Sequence, residues 1–211
     1  MTVAPGSFED DQWPSPDFNP GERKHLHAIG VIAVKFAQFQ RGTEDLFLYH
    51  PANALLPVIL LTEYFYTLNE EQRVKVTREF FARSEPDATV AAAANNALDL
   101  YNWASDCRNK VLHSELYPPG LAGKRDTLYL TKRASKRDHS TRYMALDLRT
   151  LRSTAEHMQK GVLRLAEIRL YTRYRRRDPS DPIPEELRYI IDDPDFSPIV
   201  IPPPIALTEV P

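Results

Sequence analysis

Arg108 and His113 bracket the stretch Arg108-Asn109-Lys110-Val111-Leu112-His113, an R-x4-H element with an amide directly after the arginine. An arginine is always charged and forks onto phosphate oxygens. A histidine can take or give a proton near neutral pH. Together they could stabilise and protonate a reacting phosphate. Asn109 and His113 are i and i+4, so on a helix they face each other, and the amide could orient the imidazole. Arg108 and His113 are not so placed: on a regular helix they stand about 140° apart. One phosphate could be gripped by both only if the helix kinks or ends near His113, or if two subunits share the site.

The segment that must position them runs without a breaker from Asp87 to Pro118. On it, Ala93, Ala97, Leu100, Ala104, Cys107 and Val111 fall on one stripe, the predicted core face, with Arg108 on its margin. Before it, Asn19-Pro20 reads as a helix start, and the apolar spacing of His25 to Phe39 predicts a helix that Gly42 ends. Ala54 to Leu68 reads as an apolar helix with Pro57 in its first turn. Asn69-Glu70-Glu71-Gln72 has the form of a capping box opening a helix to about Arg83. After the element, 127–131 and 141–146 read as two strands of a hairpin (about 126–147). Asp147 then caps a long last helix to about Tyr174. The expected fold is all-α: an up-and-down bundle of four to five helices, with that hairpin inserted before the last. The domain boundaries are a disordered segment over 1–19, the helical domain over 20–177, and an acidic, proline-rich tail over 178–211, extended or disordered.

The R-x4-H element near the end of a long helical segment resembles the signature of HEPN domains, small helical bundles of which many are metal-independent ribonucleases. The resemblance covers roughly residues 22–175. It implies that Arg108 and His113, supported by Asn109, cleave RNA by attack of the 2′-hydroxyl on the adjacent phosphorus, leaving a 2′,3′-cyclic phosphate. The nucleophile then comes from the substrate, so no metal or other cofactor is implied, and DNA should survive. It also implies a homodimer with the two motifs facing across the interface, and a role in stress response or phage defence. An antitoxin or regulatory protein is a further implied partner. Toxin members paired with a nucleotidyltransferase antitoxin typically carry tyrosine two residues after the histidine; here that position is Glu115. Other members are non-catalytic, so the alternative is a helical dimer that binds RNA or a partner protein.

The charge pattern bears on the same question. The net charge is only −2, yet residues 120–177 hold 16 Lys+Arg against 5 Asp+Glu, while 178–211 hold 1 against 8. The basic middle is a candidate phosphate-binding surface, or a solvated helix face. Lys132, Arg133, Lys136, Arg137 and Arg142 cluster on the predicted hairpin, and Lys110 and Lys124 are nearer the motif. These seven are the candidate RNA contacts. The acidic tail could fold back over the basic segment and compete with RNA, or serve as a solubilising tail. The arginines at 173 and 175–177 suit a helix C-terminus. Cys107 reads as a buried small hydrophobe, and as the single cysteine it fits a reducing compartment. His50 stands isolated. No metal-ligand spacing or phosphate-cradling glycine loop is present. No apolar run reaches the ~20 residues of a membrane helix and the N-terminus has no apolar leader, so a soluble cytoplasmic protein is expected.

Overall fold

The computed structural model describes residues 23–113, 115–117, 127–133, 141–176, 182–205 and 208–210. The expected helix start at Asn19-Pro20 and the candidate RNA contacts Lys124, Lys136 and Arg137 lie outside the described residues. Six helices pack together: α1 (Arg23–Leu48), α2 (Val58–Thr67), α3 (Glu70–Ser84), α4 (Ala88–Leu112), α5 (Leu148–Arg175) and the short α6 (Arg188–Asp192).

The caps act where the sequence puts them. Asn69 accepts from the Gln72 N–H while the Gln72 side chain accepts from the Asn69 N–H, a closed capping box. The Asp147 carboxylate accepts from the Thr150 N–H and opens α5. The Asp87 carboxylate does the same for Thr89 and Val90 at the start of α4. Pro57 sits one place before the first helical residue of α2 rather than inside its first turn.

Gly42 does not end α1, which runs on to Leu48. Its missing side chain serves packing: a Cβ there would stand 3.1 Å from Leu165 of α5. At Gly161 on α5, a Cβ would stand closer than 3.0 Å to three ring atoms of Phe39. The two glycines let α1 and α5 approach closely along their length. Phe39 is fully buried and meets Tyr101 of α4 edge-on at 5.3 Å, while Phe36 stacks on the same ring at 5.5 Å. This aromatic group ties α1, α4 and α5 into one core.

The predicted strand pair is not an isolated hairpin. β1 (Glu115–Tyr117), β2 (Thr127–Arg133), β3 (Thr141–Asp147) and β4 (Thr208–Val210) form an antiparallel sheet in the order β1-β2-β3-β4. Leu146 at the end of β3 is buried in the helical core, which anchors the sheet to the bundle.

The tail is extended over 194–205, one of the two states expected of it, but it is packed on the helices. Residues 182–205 are neither loose nor separate from the domain. Ile190 and Ile205 are buried, and Phe196 meets Tyr171 edge-on at 5.3 Å. The extended stretch after α6 is fixed by its backbone. Asn96 donates to the Ile199 carbonyl (3.1 Å) and accepts from its N–H (2.8 Å), as a peptide group would. Arg164 donates to the Ser197 carbonyl (2.9 Å) and the Trp103 indole to that of Pro203 (3.2 Å). Prolines remove donors from this segment, so its remaining carbonyls are served by side chains of α4 and α5. β4 then completes the sheet. Among the described residues, no helix is long and apolar enough to cross a membrane.

Candidate active site

The helix α4 stays regular through the motif. All six predicted core-face residues, Ala93, Ala97, Leu100, Ala104, Cys107 and Val111, are buried. The helix continues to Leu112, and His113 is its C-cap, donating its N–H to the Asn109 carbonyl at 3.3 Å. It therefore does not break before His113, and the 140° offset from Arg108 stands.

Arg108 is half-buried at the edge of the core. Its guanidinium lies over the face of the Phe36 ring, 5.2 Å from the centroid, and donates to the Asn109 side-chain oxygen at 2.8 Å. The ring and the amide orient a cation whose rim reaches solvent. Asn109 thus serves Arg108, not His113 as its i,i+4 spacing suggested. His113 is exposed. Within one chain the two motif residues are not brought together.

The other candidate contacts divide. Lys110 donates to the Ile205 carbonyl at 3.2 Å, so it holds the tail on α4. Lys132, Arg133 and Arg142 lie on the central strands, where the register sets Lys132 opposite Arg142 and Arg133 opposite Thr141. Cys107 is buried, and burial pushes its thiol up to about 11, as befits a core residue and not a nucleophile.

A second polar cluster has no spacing signal in the sequence. His50, Glu85, Asp87 and Arg175 meet where the ends of α1, α3 and α5 converge. Glu85, fully buried at its side chain, accepts from Arg175 at 2.5 Å and from the Asp87 N–H at 2.9 Å. Arg175 also reaches the Asp87 carboxylate at 3.2 Å. The His50 Nδ1 accepts from the Ala52 N–H at 3.1 Å, so Nε2 carries the proton toward Glu85, 3.4 Å away. The rings of Phe80 and Phe81 close the imidazole in. With both ring nitrogens engaged and the side chain buried, this histidine holds the fold. Beside it opens a cleft of about 770 Å³ lined by Arg41, Asp45, Arg169, Arg173 and Arg176. Arg41 and Arg169 share the Asp45 carboxylate, at 3.0 and 2.7 Å.

The cluster fixes a pH dependence. Burial lowers the His50 pKa below its ordinary 6.5, against the pull of Glu85. The Glu85 carboxyl is buried, which works against its charge, but Arg175 and the Asp87 N–H outweigh burial and hold it below its ordinary 4.5. Both folded values are depressed, so both contributions are present at neutral pH and are lost on acidification. The His50 part begins to go as pH falls through about 6.5, the Glu85 part below about 4.5. Urea midpoints at pH 7.5 and pH 5.5 check this, with the approximate pH values chosen to bracket an ordinary histidine. The wild type is expected to lose stability between them. His50→Asn, whose amide can still accept from Ala52, is expected to lose less.

Compared with protein-family models, curated proteins and solved structures, the chain matches none, so the residues themselves carry the functional reading.

Proposed function

We propose that this chain is a metal-independent endoribonuclease of HEPN type, an up-and-down bundle whose Arg108 and His113 act at a site assembled from two copies. The observation that carries the reading is the setting of Arg108. Its guanidinium is oriented by Phe36 and Asn109 at the solvent edge of α4, one turn before a helix end that presents an exposed histidine. A cation so oriented needs little reorganisation to meet a phosphate in its transition state. Because α4 is regular, the histidine that works with one arginine must come from the second copy. His113 then takes the 2′-hydroxyl proton or supplies one to the leaving 5′-oxygen, and Arg108 meets the charge developing on the phosphate. Lys132, Arg133 and Arg142, joined by Lys124, Lys136 and Arg137, track the RNA backbone. With Lys110 committed to the tail, its part in this reading is to hold α4.

Incubating a mixed-sequence RNA with the protein in EDTA tests this. The wild type is expected to leave 2′,3′-cyclic phosphate ends and to spare DNA of the same sequence. Arg108→Ala and His113→Ala are each expected to lower the rate by about a hundredfold or more. Equal rates for variants and wild type would remove the motif from the chemistry.

The contact of Arg108 with the Phe36 face also favours a second reading, in which the arginine buttresses the core of a non-catalytic dimer that binds RNA or a partner protein. That reading predicts RNA binding or partner capture without cleavage, and a loss of folding stability in Arg108→Ala.

A further inference from the structure

α2 and the turn before it are the most exposed apolar part of the described chain. Leu55 is 97 % exposed, Ile59 67 %, Leu60 59 % and Leu56 52 %. Val58, Tyr49, Tyr64 and Tyr66 are each about half exposed. The helix is held on the bundle by the fully buried Phe65 ring, stacked on Phe47 with Leu61 half-buried beside it, and at its end by the Tyr66 hydroxyl donating to Glu44 at 2.8 Å and Arg73 donating to the Phe65 carbonyl at 3.1 Å. The eight exposed side chains present on the order of 800–1,000 Å², against the roughly 800 Å² that each partner gives to a standard interface. The largest apolar patch on an ordinary monomer is about 300–600 Å². Between residues 51 and 69 there is one charged group, Glu63.

We propose that this face binds a second copy of the chain about a two-fold axis, with the two α2 helices antiparallel and overlapping at their Leu55–Leu60 ends. The position of Glu63 decides the register. An overlap centred farther along α2 would set Glu63 against its own copy, two like charges in a desolvated contact. An overlap centred near Val58 sets Glu63 of one copy opposite position 53 of the other. Asn53 lines the arginine cleft together with Arg41, Arg169 and Arg173. Arg41 and Arg169 already share Asp45, and Arg176 donates to the Ser84 carbonyl at 3.3 Å, so the exposed Arg173 is the cation that Glu63 of the second copy meets. Area, apolar character and rim charge are thus complementary to the chain itself.

This face differs from the one that carries the motif. α2 meets α1 at Phe47 and Arg108 meets it at Phe36, about 16 Å back along the helix. The inference therefore goes beyond the nuclease reading, and the two can fail separately.

Interfaces of this size bind in the ~µM range or tighter, so sedimentation equilibrium of the full chain at about 50 µM should read at least twice the mass of one chain, and more where the motif faces pair as well. Ile59→Asp and Leu60→Asp should lower that mass to half or less with unchanged helical circular dichroism. Leu163→Asp, at an exposed leucine of α5, should keep the wild-type mass. Glu63→Lys should weaken the dimer about tenfold or more, and Arg173→Glu in the same chain should restore it in part. A monomeric wild type, or an Ile59→Asp variant that keeps the wild-type mass, would overturn the proposal. So would a monomer that sediments with phosphatidylcholine–phosphatidylglycerol vesicles through Ile59 and Leu60, since the face would then belong to a lipid surface.

Discussion

Glu85→Ala is expected to cost about 3–5 kcal/mol of folding stability, the range seen when one partner of a buried ion pair is removed. The carboxylate has no exposed side-chain surface and collects the Arg175 guanidinium, the Asp87 N–H and the His50 ring. Without it, a largely buried guanidinium keeps Asp87 and the face of the Tyr171 ring, and the His50 ring loses its acceptor. The effect spreads because the cluster ties three helix ends: Asp87 caps α4, Arg175 ends α5, and His50 caps the turn after α1. Urea unfolding at pH 7 measures it. Glu85→Gln should fall between the two, since its amide retains one acceptor but not the charge. A loss below about 1 kcal/mol for Glu85→Ala would mean that the cluster is solvated and does not organise the bundle.

Removing residues 182–211 is the second large effect, and Ile205→Ala is its single-residue form. Ile205 is 5 % exposed in the main core. An isoleucine cut to alanine at such a place costs about 2–5 kcal/mol, or roughly 4–20 °C in a chain of this length, at about 2–4 °C per kcal/mol. The deletion should cost more, since it also exposes the sites of Ile190 and Phe196 and strips the partners of Asn96, Trp103 and Arg164. Part of that loss is returned as the conformational entropy of the tail. A loose solubilising tail predicts no change in melting temperature on deletion, so differential scanning calorimetry of the two forms separates the accounts.

The helices were legible because their signals are local. Asn69, Asp87 and Asp147 each cap within three residues, and the alanine-rich stripe of α4 repeats at helical spacing on every buried turn. Gly42 misled for a physical reason: a glycine reads as a stop, yet here it admits Leu165 from a helix more than a hundred residues away. The tail misled similarly. Its prolines and carboxylates give the composition of a solvated strand, while the side chains that hold it sit on α4 and α5. The buried cluster was illegible because Glu85 lies in a turn beside a proline and Arg175 in a run of arginines, 90 residues apart. At the motif, spacing gave the 140° offset correctly, and the regular helix through Leu112 bears it out. Spacing also paired Asn109 with His113, where the adjacent guanidinium proved the stronger partner for the amide oxygen.

The shared site is the central claim, and complementation tests it most directly. Arg108→Ala and His113→Ala proteins would be unfolded together, refolded as a mixture, and assayed on RNA in EDTA. A site built from Arg108 of one copy and His113 of the other predicts that the mixture regains about a quarter of wild-type cleavage, since half the dimers are mixed and each carries one intact site. A mixture as inactive as its two components, alongside an active wild type, would contradict the shared site and return the chemistry to a single chain.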